Sequence, residues 1–159
     1  MTLNLKFMNN QDFQRFLEIA TVNFANDKVK NGSWKEETAL EQSKAAFQSL
    51  LPEGENTENN YLKNIVLNEE TIGYIWYSIN KNQESIYAYL YEILIYREYR
   101  GQGFGKETMG MCIKEINELG VDDVWLHVFG HNQGALNLYQ QLGFEITDYN
   151  LKVSSSRFK

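Results

Sequence analysis

Three glycines at alternate positions, in the stretch RGQGFG, separate a long apolar segment from a segment with helical periodicity. The apolar segment ends at Ile95, the glycines are Gly101, Gly103 and Gly105, and the helical pattern continues to Leu119. Glycine is the residue that a chain uses where backbone must turn sharply or lie close to a ligand. The order strand, glycine turn, helix therefore limits both the local topology and the ligands that this region can take.

The first turn of a helix that begins in this way is suited to an anion. About four N–H groups there have no partner within the helix, and the aligned peptide dipoles place roughly half a positive charge at the same end. Glycines let a phosphate approach that backbone, and Arg100 and Lys106 add positive charge beside it. A pyrophosphate fits these features better than a carboxylate, although glycine before a helix also serves as a plain tight turn.

Spacing excludes two common phosphate-binding loops. The chain has no G-x-x-x-x-G-K-[ST] stretch, and the Rossmann pattern G-x-G-x-x-G fails because Gly105 is followed directly by Lys106 and Glu107. The strand before the glycines also follows two antiparallel strands, whereas a Rossmann unit opens with a βαβ unit. The turn therefore predicts a nucleotide ligand that is bound in neither of these two ways.

Two amphipathic helices are predicted ahead of the sheet. Residues 12–29 repeat apolar side chains at helical spacing, and residues 33–51 do the same from a Ser33 cap until Pro52 ends the second helix. No strand of substance is expected before these helices.

Three consecutive antiparallel strands are predicted next, because β-branched and aromatic residues alternate with short polar turns. The third of these segments is nearly all apolar, so we expect a central strand with helices on both faces. The predicted order after the helices is strands over 61–68, 71–79 and 85–96, a helix over 103–119, a strand over 124–128, a helix over 132–142 and an extended segment over 144–154.

Composition narrows the class of protein and its partners. The length of 159 residues and the hydrophobic content of 43% suit one domain over residues 1–159. The 15 Lys and Arg against 21 Asp and Glu give a net charge of −6, which argues against a general binder of nucleic acid or anionic membranes and is compatible with a cationic substrate. Neither a membrane-spanning segment nor a signal peptide is evident, so we expect a cytoplasmic location.

The single cysteine, Cys112, falls inside a predicted helix. One cysteine allows neither an intrachain disulfide nor a multi-cysteine metal site, and we expect Cys112 to be a small buried apolar residue rather than a catalytic thiol. No metal site is predicted.

Two separated signatures in the sequence resemble those of the GCN5-related N-acetyltransferases (GNAT). The family's loop [R/Q]-x-x-G-x-[G/A] matches Arg100, Gly103 and Gly105, and HNQGALNLYQQLGFE is similar to the later signature N-x-x-A-x-x-L-Y-x-x-x-G-F. The likeness runs over about residues 61–153, and it extends to a bacillary subgroup of uncharacterised members with LHVFxHN before the second signature. The positions that match this signature are Asn132, Ala135, Leu138, Tyr139, Gly143 and Phe144.

The resemblance implies a fold and an activity. The fold is the α/β (α+β) GNAT fold, a central mixed, mostly antiparallel sheet that is split into a V and flanked by helices on both faces. The activity is transfer of an acetyl group from acetyl-CoA to a primary amine, on a small molecule or a peptide, by direct attack without an acyl-enzyme.

The resemblance also implies how acetyl-CoA is held. Backbone N–H groups of residues 102–106 would bind the pyrophosphate, strand 93–95 would pair with the pantetheine arm and offer an N–H to the developing oxyanion, and Asn132 would approach from the opposite strand end. The predicted cofactor-binding residues are Ile93, Leu94, Ile95, Arg100, Gly101, Gln102, Gly103, Phe104, Gly105, Lys106, Asn132 and Tyr139.

Tyr139 matches the family's usual general acid. A phenol with an ordinary pKa of about 10 protonating a thiolate of pKa about 8.5 is uphill by about 2 kcal/mol, so Tyr139 would act as the C–S bond breaks or with a lowered pKa. The alternative is an aromatic side chain that packs with Leu138 and Leu142.

Glu92 is the best single candidate for the general base, because it is an acid in an apolar strand beside the cofactor groove. The alternative is a strand residue that faces solvent or pairs with a lysine. His127 and His131 are further candidates, although His131 could cap a helix and His127 could be a core histidine.

The aromatic residues of the helix and hairpin regions are predicted mainly to pack in the core, and one or two of them could line an acceptor pocket together with Glu36 or Glu37. These aromatic residues are Trp34, Tyr74, Trp76 and Tyr77.

Three alternatives stay open from sequence. The chain could be a non-catalytic CoA- or acyl-CoA-binding sensor, or it could use a longer acyl-CoA. A homodimer could form through an edge strand in FEITDYNLKVS.

Overall fold

The protein is described by a computed structural model that covers residues 2–159. A five-stranded sheet is combined with four α-helices and short 3-10 turns. The strands are β1 (Leu3–Phe7), β2 (Asn60–Leu67), β3 (Glu70–Lys81), β4 (Ile86–Ile95) and β5 (Asp123–Leu126). The helices are α1 (Asn10–Lys30), α2 (Glu36–Leu50), α3 (Phe104–Glu118) and α4 (Gln133–Gln141).

The strands lie in the sheet in chain order, β1-β2-β3-β4-β5. The first four are antiparallel to their neighbours, and β5 is parallel to β4. The three consecutive antiparallel strands predicted from sequence are confirmed as β2, β3 and β4. The expectation that no strand precedes the helices is wrong, because β1 pairs along its whole length with β2. Its alternation of apolar and polar residues, LNLKF, is the signal of an edge strand.

Helices cover both faces of the sheet, and successive side chains of β3 are buried alternately on one face and the other. Tyr74 and Trp76 pack against α1 and α2, where Phe16 is among the most deeply buried residues. Ile75 and Tyr77 point to the other face and pack against α3. Strand side chains point alternately to the two faces of a sheet, so one strand contributes to two cores.

Helix caps differ from the sequence expectation at one of the two leading helices. Helix α1 begins with a capping box, in which the Asn9 side chain accepts from the Asp12 N–H at 2.8 Å and the Asp12 carboxylate accepts from the Asn9 N–H at 3.0 Å. The expected Ser33 cap of α2 is wrong, because this helix starts after Lys35 without a side-chain cap. Helix α2 ends at Leu50, as the position of Pro52 predicted.

The split in the sheet lies between β4 and β5. Their pairing runs from Tyr87 with Asp123 to Leu90 with Leu126 and ends there. Strand β4 continues to Ile95 with β3 as its one neighbour. A β-bulge in β4 falls at the same level, because Tyr91 is the extra residue between the pairs Trp76–Glu92 and Tyr77–Leu90. Bulges bend a strand and leave its extra residue outside the ladder. The two strands therefore diverge as the sides of a V.

The final extended segment does not form a strand of this sheet. Residues 144–154 have no regular secondary structure, and β5 is the edge of the sheet as the structure describes it. The stretch predicted to be extended therefore contains no helix, strand or turn.

Candidate active site

The glycine turn at the end of β4 adopts the backbone that its sequence requires. Gly101 and Gly103 have φ values of +75° and +85°, in the left-handed region that side chains disfavour. A Cβ added at Gly103 would meet no heavy atom within 4 Å, so the space above the turn is open. Gly101, which lies outside the fixed positions of the family loop, is therefore explained by its conformation.

Helix α3 starts at this turn with unused hydrogen-bond donors. Gly103 is the N-cap and supplies no side chain, and the first intrahelical bond to it comes from the Glu107 N–H at 3.1 Å. Within residues 2–159, the N–H groups of Phe104, Gly105 and Lys106 have no acceptor. Phe104 is buried, so it can offer a ligand only its backbone. The turn therefore presents open N–H groups at the positive end of a helix.

Arg100 ties the turn to the strand before it. Its Nε donates to the Ile95 carbonyl at 2.7 Å. Gly105 lies where α3 passes close to α4, since an added Cβ would stand 3.7 Å from Leu138 Cδ2 and 3.9 Å from Ile95 Cγ1. The two signature segments of the sequence are thus neighbours in space.

A cavity of about 380 Å³ occupies the opening of the V. Four of the predicted site residues line it together: Glu92 and Ile93 from β4, Asn132 at the N-cap of α4 and Tyr139 in its last turn. Leu94 and Ile95 pack their side chains into the cores on the two faces of the sheet, so they can contribute only backbone groups. Gln102 and Lys106 are exposed beside the turn.

Glu92 is half-buried on the β4 wall of this cavity and is held by a hydrogen bond. The Tyr74 hydroxyl donates to Glu92 Oε2 at 3.0 Å. Burial raises the pKa of Glu92 to about 7, with a further rise from the Asp27 charge and a partial offset from the Tyr74 hydrogen bond. The alternative of a lysine pair or a solvent-facing strand residue is wrong for the described chain, and the carboxyl is half-ionised near neutral pH.

Tyr139 lies on the opposite wall, where the charge of Glu92 affects its pKa. Burial raises the pKa of Tyr139 to about 12, and the charge of Glu92 adds to the rise. The ring also packs edge-on against Phe144 with centroids 5.7 Å apart, so the packing interpretation is correct in part. The phenol therefore stays protonated over the whole range in which proteins work.

Asn132 and the two histidines differ in what they contact. Asn132 caps α4, with its Oδ1 accepting from the Ala135 N–H at 3.2 Å, so the cap that was considered for His131 is formed by its neighbour. His131 instead lies 2.9 Å from Asp27 Oδ1. His127 is exposed at the cavity rather than in a core, and partial burial and the Lys28 charge lower the pKa of His127.

The far wall of the cavity is aromatic and carries one acid, Asp27, and one base, Lys28. It is formed from α1 by Phe24 and Asp27 and from the loop after β5 by Phe129, whose ring stacks on His131 at 5.4 Å. Trp76 is the one residue of the four considered from sequence that reaches this cavity. Glu36 and Glu37 do not line it, so that part of the acceptor-pocket hypothesis is wrong. Nothing in the sequence indicated that Asp27 belongs to the site, because the side chain that it contacts, His131, lies 104 residues further along the chain.

Comparison with known proteins decides the family. A model of the acetyltransferase (GNAT) family matches residues 7–144. The chain belongs to the GNAT acetyltransferase family. The N-acetyltransferase YycN of Bacillus subtilis is 36% identical over 149 residues, which are 93% of this chain and 96% of YycN. The crystal structure of YycN superposes with a TM-score of 0.92 at 34% identity, over 96% of this chain and 98% of that one.

Two further relatives of this acetyltransferase differ in how much of the chain they match. YdgE of Bacillus subtilis, an N-acetyltransferase, is 29% identical over 96% of this chain and 98% of its own. The [ribosomal protein bS18]-alanine N-acetyltransferase of Haemophilus influenzae is 39% identical over 38% of this chain and 41% of its own. The predicted fold class is confirmed by the family model and the YycN structure, and the predicted enzyme class by the family model, YycN and YdgE.

None of the helices in residues 2–159 is long and apolar enough to cross a membrane. Over the same residues there is no cluster of three or more His, Cys, Asp or Glu side chains that could hold a metal ion. Cys112 is buried as predicted, and burial raises the pKa of its thiol to about 12.

Proposed function

We propose that this acetyltransferase moves an acetyl group from acetyl-CoA to a primary amine by direct attack, without an acyl-enzyme. The observation that carries the proposal is the cavity in the V, which has a carboxyl of near-neutral pKa, Glu92, on one wall and a protonated phenol, Tyr139, on the other. A direct attack needs a group that takes a proton from the amine and a group that gives one to the leaving thiolate. Glu92 on one wall can take the proton from the amine, and Tyr139 on the other can give one to the thiolate.

The residues at the end of β4 fit a CoA diphosphate. Open N–H groups at the start of α3, left-handed glycines and clear space above Gly103 are the features that an approaching pyrophosphate needs. The exposed Lys106 adds charge beside them. We propose that the N–H groups of residues 102–106 bind the diphosphate, with Arg100 acting mainly by fixing the turn to Ile95.

The unpaired half of β4 fits an extended chain with amide groups. Between Tyr91 and Ile95 the edge that faces the V lacks a neighbouring strand, so its N–H and C=O groups, apart from the Ile95 carbonyl that accepts from Arg100, are free to pair with the pantetheine arm. We propose that the residues at the bulge also aim a backbone N–H at the thioester oxygen, where it stabilises the negative charge of the tetrahedral intermediate. Asn132, at the start of α4, closes the opposite side.

Glu92 is proposed as the general base. Its carboxylate takes a proton from the bound ammonium, directly or through a water, which leaves the neutral amine to attack the thioester carbon, and the Tyr74 hydroxyl keeps the carboxyl oriented towards the cavity. A base works best when its pKa lies near the working pH, and the pKa of Glu92 is raised to about 7.

Tyr139 is proposed as the general acid. The proton goes from the phenol to the sulfur as the C–S bond breaks. With the pKa of Tyr139 raised to about 12, complete transfer to a free thiolate of pKa about 8.5 would be uphill by about 5 kcal/mol. Transfer concerted with bond breaking avoids this cost, and a hydrogen bond to the developing thiolate supplies part of the same stabilisation.

The acceptor side of the cavity suits a cationic amine with an apolar neighbour. Two acids, Asp27 and Glu92, outnumber the one lysine that lines the cavity, Lys28. The aromatic surface comes from Phe24, Phe129 and Trp76. A small-molecule amine or the amino group of a peptide meets both requirements, and a relative that covers part of the chain is named for the alanine of a ribosomal protein. We propose an amine of this class as acceptor.

Ligand-induced stabilisation tests the donor site. Acetyl-CoA at about 100 times its Kd should stabilise the protein by about 2.7 kcal/mol, which raises Tm by roughly 5–10 °C. Gly103→Asp should lose this shift, because the new carboxylate occupies the N–H groups and repels phosphate. Gly120→Asp is the matched control, since Gly120 has φ +81° and open space at the other end of the same helix. Equal shifts in both variants would contradict the proposed site.

Turnover separates the enzyme from a CoA-binding sensor. Thiol release measured over a panel of peptide and small-molecule amines should depend on the amine, and mass spectrometry of the product should show a mass increase of one acetyl group on the amine. Acetyl-CoA binding without amine-dependent thiol release for any member of a broad panel would favour the sensor. A longer acyl group on the ligand that copurifies with the protein would favour a different acyl-CoA.

A further inference from the structure

Asp27 is an acid of the V cavity that the proposed chemistry does not use. It lies on α1 and lines the same cavity as Glu92 of β4. The charge of Asp27 contributes to the raised pKa of Glu92, so the two carboxyl groups act on one space. Direct attack needs one base for the reacting amine, and Glu92 is proposed for that role. A second carboxylate adds repulsion to the cavity, which a second positive charge on the acceptor would relieve.

The Asp27 side chain has one oxygen that is held and one that is free. Its Oδ1 lies 2.9 Å from Nε2 of His131, which is not part of the cavity lining. Its Oδ2 has no hydrogen-bond or ion-pair partner in residues 2–159. The Asp27 side chain is 39% exposed, so a ligand can reach it. A carboxylate that is fixed through one oxygen and open at the other is already oriented for a cation.

Lys28, the one lysine of the cavity lining, does not neutralise Asp27. Its ammonium lies 5.6 Å from the centroid of the Phe24 ring and 5.3 Å from that of the Trp34 ring. Trp34 does not line the cavity, and over the part of the chain that the structure describes no ion pair joins Lys28 to Asp27 or to Glu92. The lysine is therefore engaged with aromatic rings, and the free oxygen of Asp27 is left for a ligand.

The surface between the two acids is aromatic. On the β4 side the Trp76 and Tyr91 rings stack with centroids 4.2 Å apart, and on the α1 side the centroids of Phe24 and Phe129 lie 6.3 Å apart. Aromatic side chains bury apolar stems, and their faces attract cations. The cavity thus presents acid, aromatic surface and acid, which is complementary to a chain of methylene groups with an ammonium group at each end.

We propose that Asp27 determines the acceptor by binding a second ammonium group, while the first is deprotonated at Glu92 and acetylated. The acceptor is then a small dication, with two primary amines joined by an apolar stem. Overall, the first ammonium and acetyl-CoA give the amide, the free thiol of CoA and one proton, which leaves through Glu92. The second ammonium keeps its proton throughout. This inference rests on the proposed acetyl transfer and adds the charge of its substrate.

A charge series of acceptors tests the role of Asp27. Diamines with stems of three to six carbons are compared with the monoamine and the ω-amino carboxylate of the same length. In the wild type, kcat/KM from thiol release should be about 10-fold higher for the best diamine than for its monoamine, after division by two for the two equivalent amines, and lowest for the amino carboxylate. Asp27→Asn can still accept a hydrogen bond from His131, yet it should bring diamine and monoamine within about 2-fold.

Two further variants control for charge and for structure. Glu18→Gln should retain the preference for the diamine, because Glu18 is an exposed acid of the same helix that does not line the cavity. Lys28→Met should increase the preference, because it removes the one lysine of the lining. A wild type without the preference, or an Asp27→Asn variant that loses activity equally towards all three kinds of acceptor, would overturn the assignment and leave Asp27 as a link between α1 and the segment before α4.

Binding distinguishes a failure of this inference from a failure of the proposed reaction. In the presence of CoA, the diamine should raise Tm more than the monoamine at equal concentration, and Asp27→Asn should abolish the difference. This difference without thiol release for any acceptor would overturn the acetyl transfer and support the cation site. Acetylation with no effect of Asp27 on the choice of acceptor would overturn the cation site alone. Absence of both turnover and the Asp27-dependent rise in Tm would overturn both.

Discussion

At the scale of single residues, the site depends on two groups that burial makes weaker acids, one of which ionises near neutral pH while the other stays protonated. Burial makes the carboxyl of Glu92 a weaker acid, with a pKa raised to about 7, and makes the phenol of Tyr139 harder to ionise, with a pKa raised to about 12. Each group is therefore mainly in the protonation state that its proposed role needs at slightly alkaline pH. The two also influence each other, because the charge of Glu92 contributes to the shift of Tyr139.

Glu92→Gln should remove a titration from the pH profile. In the wild type, kcat/KM at a fixed concentration of the ammonium form of the substrate should rise with pH and level off above about 7, as the carboxylate forms. The variant can still accept the Tyr74 hydrogen bond but cannot take a proton, so its rate should be lower by about 100-fold at pH 8 and the rise near 7 should be absent. Tyr74→Phe is the control, in which the rise should be retained but moved to higher pH, because the hydrogen bond that lowers the pKa of Glu92 is lost. A wild-type rise that persists in Glu92→Gln would assign the base elsewhere.

Tyr139→Phe should lower kcat by about 100-fold and change KM for acetyl-CoA little, because the hydroxyl acts on the leaving sulfur and the ring remains in its packing against Phe144. Steady-state kinetics with saturating amine measure both constants. A loss that appears in KM alone would make Tyr139 a binding residue. Residual activity is expected, since positioning and backbone stabilisation remain.

At the scale of elements, helix α3 is held to the sheet by a lysine on β2. The Lys63 ammonium lies 2.8 Å from Glu115 of α3 and 3.2 Å from the Tyr77 hydroxyl, and it stands over the Phe7, Tyr61 and Tyr77 rings at 4.9 to 5.7 Å. Lys63 is buried, whereas the Glu115 side chain is 39% exposed. This contact connects three strands to the helix whose first turn forms the proposed phosphate site.

Lys63→Met should reduce the free energy of unfolding by roughly 1–2 kcal/mol, because it removes the ion pair and the ring contacts while keeping most of the stem packed. Urea unfolding of Lys63→Met, Glu115→Gln and the double variant should give a coupling energy of about 1 kcal/mol. The exposed Lys6 of β1 provides a control, since Lys6→Met should change stability by less than about 0.5 kcal/mol. A coupling energy near zero would show that the Lys63–Glu115 contact does not contribute to stability.

At the scale of the whole molecule, the raised pKa of Glu92 makes stability depend on pH. The carboxyl has an ordinary pKa of 4.5 in the unfolded chain and about 7 in the folded one, so the folded state holds the proton more tightly. Its contribution to stability is complete below pH 4.5, falls as pH rises, and is lost above about 7. The total is of the order of 3 kcal/mol.

Glu92→Gln should remove this dependence. The difference in Tm between the variant and the wild type should be smallest near pH 4.5 and should grow in favour of the variant up to about pH 7, where it levels off. Thermal unfolding at a series of pH values measures it, and Gln48→Glu on the exposed surface of α2 serves as a charge control without a buried group. A difference that is flat across this range would contradict a buried carboxyl at position 92.

Sequence reasoning located the elements with strong periodicity and the residues inside fixed signatures. Helices α1, α3 and α4 and strands β2 to β4 follow from repeated apolar spacing, and Gly103, Asn132 and Tyr139 from the two motifs. The short strand β1 was missed because five residues give a weak signal until their partner is known. The contacts of Asp27 and Tyr74 were missed because they depend on the path of the chain between distant segments. Residues 144–154 alternate like a strand, yet the described chain holds no partner for them.

The divergence of β4 and β5 divides a single strand into two kinds of backbone. Residues Tyr87 to Leu90 are paired on both sides, Tyr91 is the unpaired bulge residue, and Glu92 to Ile95 pair only with β3. Amide hydrogen exchange should therefore change within β4, slow in its first half and faster for those amides of the second half that face the V. The boundary lies at the bulge residue, Tyr91. Beyond it, the amides of β4 that face the V have no neighbouring strand to protect them from exchange with solvent.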